Sequence, residues 1–134
     1  MTGREFPKRD RNSVLVYVAG VGKGPDGTPG GFAYCIEPTG KWCRRWDDDL
    51  IDAEADCEAL LFAVENVPLE YDEAEILTDS RRLVREFRRA CNTGKPEVRD
   101  PISQAVCKIR ERRLSVALSW VPRHRNPARE LIEE

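Results

Sequence analysis

The chain has 134 residues, 40% of them hydrophobic and 34% charged, and 22 basic against 24 acidic residues leave a formal net charge of -2 at pH 7. That length corresponds to one domain with a core of its own. The balanced charge excludes the global basic field that marks many nucleic-acid-binding proteins. No apolar run approaches the length of a membrane span, and the first twelve residues are too polar for a secretion signal.

The five cysteines are scattered, without a CxxC motif or a neighbouring Cys/His pair. They are Cys35, Cys43, Cys57, Cys91 and Cys107. An odd number at such spacing favours reduced thiols and argues against a structural zinc site. We therefore expect a cytoplasmic protein with a flexible lead over residues 1–12 and a single domain over residues 13–134.

The first half of the chain predicts three strands and one helix. Residues 13–19, SVLVYVA, are rich in β-branched side chains and end at a glycine-rich segment without the Gly-Lys-Ser/Thr ending of a phosphate-binding loop. Residues 32–36 and 41–46 predict two further strands joined by a Pro-Thr-Gly turn, and so an antiparallel meander. A helix is expected over Asp52–Asn66, where apolar side chains recur with helical spacing on one stripe: Cys57, Leu60, Leu61 and Val64.

The second half alternates two more strands with three helices. Residues 74–77, AEIL, predict a short buried strand, and helices are expected over residues 80–91 and 98–113. A fifth strand is expected over residues 115–121, then a loop, then the start of a last helix at Ala128. Because a helix separates the meander from AEIL, we expect that strand to run parallel to the first one. The predicted order is β-β-β-α-β-α-α-β-α.

The segment Thr78-Asp79-Ser80 stands where the fourth predicted strand passes into a helix. Open α/β sheets bind their ligands at the carboxyl ends of strands, which makes Asp79 a candidate site residue. The same three residue types are also ordinary helix N-caps, and for the segment by itself this purely structural role is the favoured interpretation.

This order of elements, with acidic residues and glycines at particular corners, resembles the type 1 ribonuclease H family. The matching pieces extend over most of the chain: Ala19-Gly20, Gly30-Gly31-Phe32-Ala33, Glu58, Thr78-Asp79-Ser80, Trp120-Val121, His124, and Asn126 with Glu130. The resemblance implies an α/β ribonuclease H-like fold, with a mixed five-stranded sheet and helices on both of its faces.

The resemblance also implies a metal-dependent endonuclease that cleaves the RNA strand of RNA–DNA hybrids. Such hydrolysis needs an activated water and a stabilised leaving oxygen, which two Mg²⁺ or Mn²⁺ ions held by carboxylates supply. By this resemblance Glu58, Asp79 and Glu130 would be metal ligands and catalytic residues, and His124 would assist proton transfer or product departure. Without it, the favoured interpretation is that Glu58, Glu130 and His124 are surface residues.

Nucleic acid is the expected partner, either an RNA–DNA hybrid or another duplex, and a protein partner is a further option. Arginines cluster after Asp79 and near the end of the chain, and they would contact phosphates rather than bases. The expected nucleic-acid-binding residues are Gly20, Ser80, Arg81, Arg82, Arg85, Arg123 and Asn126.

Three departures from the family pattern bear on activity. Ala19 stands where the family has its central aspartate, which should remove most metal affinity and impair catalysis. Ala53-Glu54-Ala55 replaces the Thr-Asn-Asn that contacts 2′-hydroxyls, and Arg129-Glu130 replaces Ala-Asp. Two interpretations stay open: a nuclease inactivated by an engineered Ala19, or a naturally degenerate module that uses the fold for nucleic-acid binding or protein interaction.

Overall fold

The computed structural model describes residues 13–92 and 100–133, and within them the strands and helices follow one another in the predicted order. The elements are β1 (Ser13–Val21), β2 (Gly30–Glu37), β3 (Lys41–Asp47), α1 (Asp52–Asn66), β4 (Glu73–Thr78), α2 (Arg81–Cys91), α3 (Pro101–Arg112), β5 (Ser115–Trp120) and α4 (Pro127–Glu130). A short 3-10 turn, Arg123–Arg125, precedes α4. The expected lead over residues 1–12, the start of the predicted third helix and residue 134 lie outside the described residues.

The five strands form one mixed sheet in the order β3-β2-β1-β4-β5. The meander β1-β2-β3 is antiparallel, whereas β1, β4 and β5 run parallel to one another. The predicted parallel alignment of the first and fourth strands is therefore confirmed. Val18 lies opposite Thr78, so the carboxyl ends of β1 and β4 meet at one edge of the sheet.

Two boundaries differ from the sequence prediction. β1 continues through Gly20 to Val21, because both residues remain paired with β2 instead of opening into a loop. α2 begins at Arg81, since Ser80 is its N-cap and its hydroxyl oxygen accepts a hydrogen bond from the Leu83 amide at 3.1 Å.

Helices cover both faces of the sheet, as predicted. α1, α2 and α3 pack on one face around a core that includes Leu60, Ile76 and Leu83. The short α4 packs on the other face, where a small cluster is formed by Ala19, Ala33, Ala128 and Ile132. The three alanines of this cluster let α4 approach β1 and β2 closely, which brings α4 to the carboxyl ends of β1 and β4.

Two further properties concern the chain as a whole. All five cysteines are free thiols, as expected from their spacing. No helix within the described ranges is long and apolar enough to cross a membrane. A cytoplasmic location remains a prediction.

Candidate functional site

Asp79 lies directly after β4, at the edge where β1 and β4 end, as the sequence predicts. Its side chain is only 5% exposed. The preceding Thr78 is fully buried and its hydroxyl oxygen accepts a hydrogen bond from the Ser80 amide at 3.1 Å. This short turn between strand and helix aims the Asp79 carboxylate along the edge of the sheet, toward α4.

Arg129 of α4 forms a bidentate ion pair with this carboxylate. Its Nε lies 2.9 Å from one Asp79 oxygen and its Nη2 lies 2.6 Å from the other. The remaining nitrogen, Nη1, donates to the Gly20 carbonyl at 2.8 Å. One guanidinium therefore joins the ends of β1 and β4, in a geometry that favours strong, charge-assisted hydrogen bonds.

Arg129 keeps its positive charge in spite of its burial. Burial by itself lowers the pKa of the guanidinium, but the hydrogen bonds and the negative charge of Asp79 outweigh it, and the net shift of the pKa is upward. Only 8% of the side chain is exposed. Arg129 is thus a built-in cation bound by Asp79, a residue that the resemblance implies to be a metal ligand.

Asn126 completes the surroundings of Asp79. Its Nδ2 donates to the Val18 carbonyl at 2.9 Å and to Asp79 Oδ2 at 3.2 Å, while its Oδ1 caps α4 by accepting from the Ala128 amide. Asn126 is 1% exposed. The side chain of Asn126, which was expected to contact nucleic acid, is a buried link between α4 and the sheet.

Asp56, on the first turns of α1, is a second carboxylate near Asp79, and it was not singled out from the sequence. We call the site formed by Asp56, Asp79, Asn126 and Arg129 the corner. The pKa of Asp56 is raised, mainly by burial. A hydrogen bond with the Ser80 side chain and the charge of Arg129 lower the pKa and offset part of this rise, whereas the charge of Asp79 adds to it. Its Oδ1 is buried with no hydrogen-bond partner among the described residues. Asp56 therefore faces Ser80, Asp79 and Arg129.

Glu58 occupies a different surface. It lines a groove with Phe32, Arg45 and Phe62, and its pKa is raised first by burial and then by neighbouring acids of that surface, such as Glu54. Two residues along an α-helix turn the side chain by about 200°, so Asp56 and Glu58 project to nearly opposite sides. The structure does not bring Glu58 to Asp79, and Asp56 stands in the place expected for it.

The two remaining predicted catalytic residues also stay outside the corner. Glu130 is exposed on α4, where it adds to the effect of burial in raising the pKa of the Cys35 thiol. His124 is exposed in the 3-10 turn. Over residues 13–92 and 100–133, no group of three His, Cys, Asp or Glu side chains is arranged to hold a metal ion.

The corner therefore does not suit the pair of divalent ions that the resemblance implies. Ala19 supplies no ligand, and it is fully buried in the apolar cluster beneath α4. Both oxygens of Asp79 already accept hydrogen bonds from Arg129. The guanidinium of Arg129 would repel a metal ion at the same place. The arrangement therefore serves a structural role: the buried Asp79 carboxylate holds one cation, Arg129, whose charge also acts on Asp56.

A basic groove begins two residues beyond Asp79, at Arg81. It is lined by the exposed side chains of Arg81, Arg85 and Arg88 on α2 and by Trp120 at the end of β5. The Arg81 guanidinium lies over the Trp120 ring at 3.9 Å from its centroid, and the indole N–H donates to the Asp79 carbonyl at 3.3 Å. This stacking holds a cation in a defined position next to the corner.

The other predicted nucleic-acid-binding residues have partners within the protein. Arg82 Nη2 donates to the carbonyls of Asp52 and Ala53 at the start of α1, at 3.1 and 3.0 Å. Arg123 forms an exposed ion pair with Glu133. Ser80 caps α2, and the Gly20 carbonyl is bound by Arg129.

Gly20 is required for packing. A β-carbon at this position would stand 2.4 Å from the backbone of Ala55, so only glycine lets β1 and α1 approach this closely. The contact sets the rotation of α1 against the sheet, and that rotation turns Asp56 toward the corner.

Solved structures share this architecture. LC11-RNase H1 in complex with an RNA/DNA hybrid aligns at a TM-score of 0.71 and 20% identity, over 89% of this chain and 92% of that one. The N-terminal RNase H domain of Rv2228c from Mycobacterium tuberculosis aligns at a TM-score of 0.73 and 19% identity, over 91% of each chain. RNase H1 from the archaeon Halobacterium salinarum aligns at 0.66 and 19%, over 90% and 93%. No family model and no curated protein sequence matches the chain. These likenesses confirm the predicted ribonuclease H-like fold.

Proposed function

We propose that this chain is a duplex nucleic-acid-binding domain that has kept the ribonuclease H-like fold and given up metal-dependent cleavage. The observation that carries the proposal is the ion pair between Arg129 and Asp79. It places a permanent positive charge where hydrolysis would need a divalent ion, and it uses both oxygens of the acid that would be the best placed ligand.

The packing of Ala19 favours natural degeneration over an engineered inactivation. Ala19 is fully buried against Ala33 and Ala128, and the next residue of α4 is the arginine that binds Asp79. Relative to the resembled family, the lost carboxylate on β1 and the gained guanidinium on α4 both make this site more positive, so Asp79 is neutralised by a cation of the protein itself. An isolated substitution in an otherwise active enzyme would have left Asp79 without Arg129.

Binding is proposed to use the groove of Arg81, Arg85, Arg88 and Trp120. Its three arginines are exposed along one helix, and contacts of this kind read the phosphate backbone rather than the bases. The likeness to LC11-RNase H1, which was solved with an RNA/DNA hybrid, supports a duplex as the partner. Because Arg82 and Asn126 are engaged inside the protein, we assign neither of them to the interface.

The test measures the affinity for labelled RNA–DNA hybrid, DNA duplex and RNA duplex by fluorescence anisotropy at several salt concentrations. We expect affinity to fall as salt rises, and Arg85→Ala to reduce the slope of log K against log salt by about 0.9 for the phosphate contact it removes. Lys41→Ala removes an exposed charge from the opposite edge of the sheet and serves as the matched control. Affinity that is independent of salt, or equal losses in both variants, would contradict the proposed interface.

Cleavage is followed on the same hybrid with Mg²⁺ or Mn²⁺. We expect the substrate to remain intact with the natural chain and also with Ala19→Asp, because Arg129 still occupies Asp79 in that variant. Metal-dependent cleavage by the natural chain that stops on addition of a chelator would overturn the non-catalytic part of the proposal and favour a ribonuclease H-type endonuclease.

A further inference from the structure

The outer strand of the sheet, β3, presents two tryptophans to solvent. It pairs with β2 on one side and forms the edge of the sheet on the other. Trp42 is 54% exposed and Trp46 is 42% exposed. An edge strand carries unpaired backbone N–H and C=O groups, which are a template for another strand. β3 therefore combines exposed aromatic surface with free hydrogen-bonding groups.

The sequence of β3, KWCRRWD, is complementary to itself when it is reversed about Arg44. In an antiparallel pair centred on that residue, Lys41 of each strand lies opposite Asp47 of the other, and Trp42 lies opposite Trp46. Opposite charges and aromatic rings are the cross-strand pairs that stabilise a sheet. A twofold axis makes every such pair occur twice.

The two central arginines do not oppose this arrangement, because their side chains are engaged on their own protomer. Arg44 Nη1 donates to the Leu131 carbonyl at 2.9 Å, and its guanidinium lies 5.7 Å from the centre of the Trp46 ring. Arg45, on the opposite face of the sheet, lies 4.9 Å from the centre of the Phe62 ring. Both guanidinium groups therefore already have partners on their own protomer.

We propose that β3 is a self-association site, at which a second copy of this chain adds its own β3 in the antiparallel register centred on Arg44. The product is a symmetric dimer with one continuous sheet, five strands coming from each copy. A contact between two seven-residue strands belongs to the small class of interfaces, below about 1,200 Å², which are typically weak. The dimer is accordingly expected to have a dissociation constant in the micromolar range.

Sedimentation velocity over a wide range of concentrations tests the association. The natural chain should shift from monomer to dimer as concentration rises, and Trp42→Lys should weaken the dimer by at least about tenfold, because it removes two aromatic pairs and adds two charges at the edge. Leu69→Lys, at a residue that is 88% exposed on a loop, makes the same chemical change elsewhere and should leave the dimer unchanged. A chain that stays monomeric at several hundred micromolar would overturn the proposal, as would equal effects of the two variants.

Charge reversal tests the register. Lys41→Asp and Asp47→Lys each place like charges opposite one another in this register, so each should weaken the dimer. The double variant restores opposite charges with the signs exchanged and should recover the natural dimerisation constant. If the double variant is as weak as the single ones, the register centred on Arg44 is wrong. If Trp42 fluorescence instead responds to single-stranded nucleic acid while the chain remains monomeric, the site serves another ligand and the dimer proposal fails.

Discussion

At the scale of single residues, Arg129 determines what the corner at Asp79 can do. Its guanidinium makes three hydrogen bonds to the protein, two of them to a carboxylate that is almost fully buried. A buried ion pair gains little net stability from its formation, but removing one partner leaves a charge without compensation. The pair therefore holds α4 in one position on the sheet and makes loss of either partner costly.

Arg129→Met should lower the free energy of unfolding by about 3–5 kcal/mol, because Asp79 would remain as an unpaired buried charge. Arg123→Met is the matched control: Arg123 also pairs with a carboxylate, but that pair is exposed, so the loss should be about 1 kcal/mol or less. Urea denaturation of both variants measures the difference. Similar losses would mean that the Asp79 pair contributes no more than a surface ion pair.

Asp56 provides a prediction about pH. Its pKa in the folded protein is raised above the ordinary value of 3.8 mainly by burial, so its charged form destabilises the fold. This cost appears as the pH rises through 3.8 toward the higher folded pKa, and it is absent at lower pH, where Asp56 is protonated in both states. Asp56→Asn should therefore stabilise the protein at pH 7 by on the order of 1 kcal/mol, comparable to the cost of one unsatisfied buried group.

The measurement is the free energy of unfolding of Asp56→Asn and of the natural chain between pH 3 and pH 7, a range that spans the ordinary Asp pKa. The gain should shrink toward zero as the pH falls below 3.8. A gain that is constant with pH, or a loss at neutral pH, would contradict the assignment of a buried, charged Asp56.

At the scale of elements, two arginines of α2 that look alike in the sequence have different tasks. Arg82 donates hydrogen bonds to two backbone carbonyls at the start of α1, whereas Arg85 is exposed in the groove. The helical period leaves residues three apart on neighbouring positions of one side, so the difference follows from their places along α2. Arg82 lies in the first turn, beside the start of α1, whereas Arg85 lies one turn further on.

Arg82→Met should lower the free energy of unfolding by about 1–2 kcal/mol through its two lost hydrogen bonds, and it should leave the affinity for a duplex nearly unchanged. Arg85→Met should do the reverse, with an effect on unfolding within about 0.5 kcal/mol and a clear loss of affinity. Thermal or urea unfolding together with anisotropy on both variants separates the two roles. If Arg82→Met weakens binding as much as Arg85→Met, the division is wrong.

At the scale of the whole molecule, the fold is shared with solved RNase H1 structures, and the corner at Asp79 in this chain contains the guanidinium of Arg129. A ligand that binds only the folded state raises stability by about 2.7 kcal/mol at a hundred times its dissociation constant. Since the corner already contains a cation, Mg²⁺ should not stabilise this protein, and neither should it stabilise Ala19→Asp.

The melting temperature is compared in millimolar Mg²⁺, in a chelator, and in NaCl of equal ionic strength, which controls for general screening. We expect the same value in all three solutions for both proteins. A saturable increase in melting temperature with Mg²⁺ in the natural chain would show that the metal displaces Arg129 from Asp79. The same increase only in Ala19→Asp would show that the missing carboxylate, and not Arg129, is what prevents binding.

Much of the fold follows from local patterns along the chain. The apolar stripe of α1, the turn residues between the early strands and the end of β4 at Thr78 are all readable in the sequence, because helical and strand periods and turn chemistry are local properties. The same signals place Asp79 at the carboxyl end of a parallel strand. They also show that Ala19 lacks the carboxylate of the resembled family.

Which side chains enter the corner was decided only by the tertiary structure. On α1 the choice between Asp56 and Glu58 depends on how the helix is rotated against the sheet, and the close contact of Gly20 with Ala55 sets that rotation. On α4 the choice between Arg129 and Glu130 depends on the packing of Ala128 beneath them. Neighbouring residues of a helix differ by about 100° in direction, so their spacing in sequence cannot say which of them faces a site that other elements build.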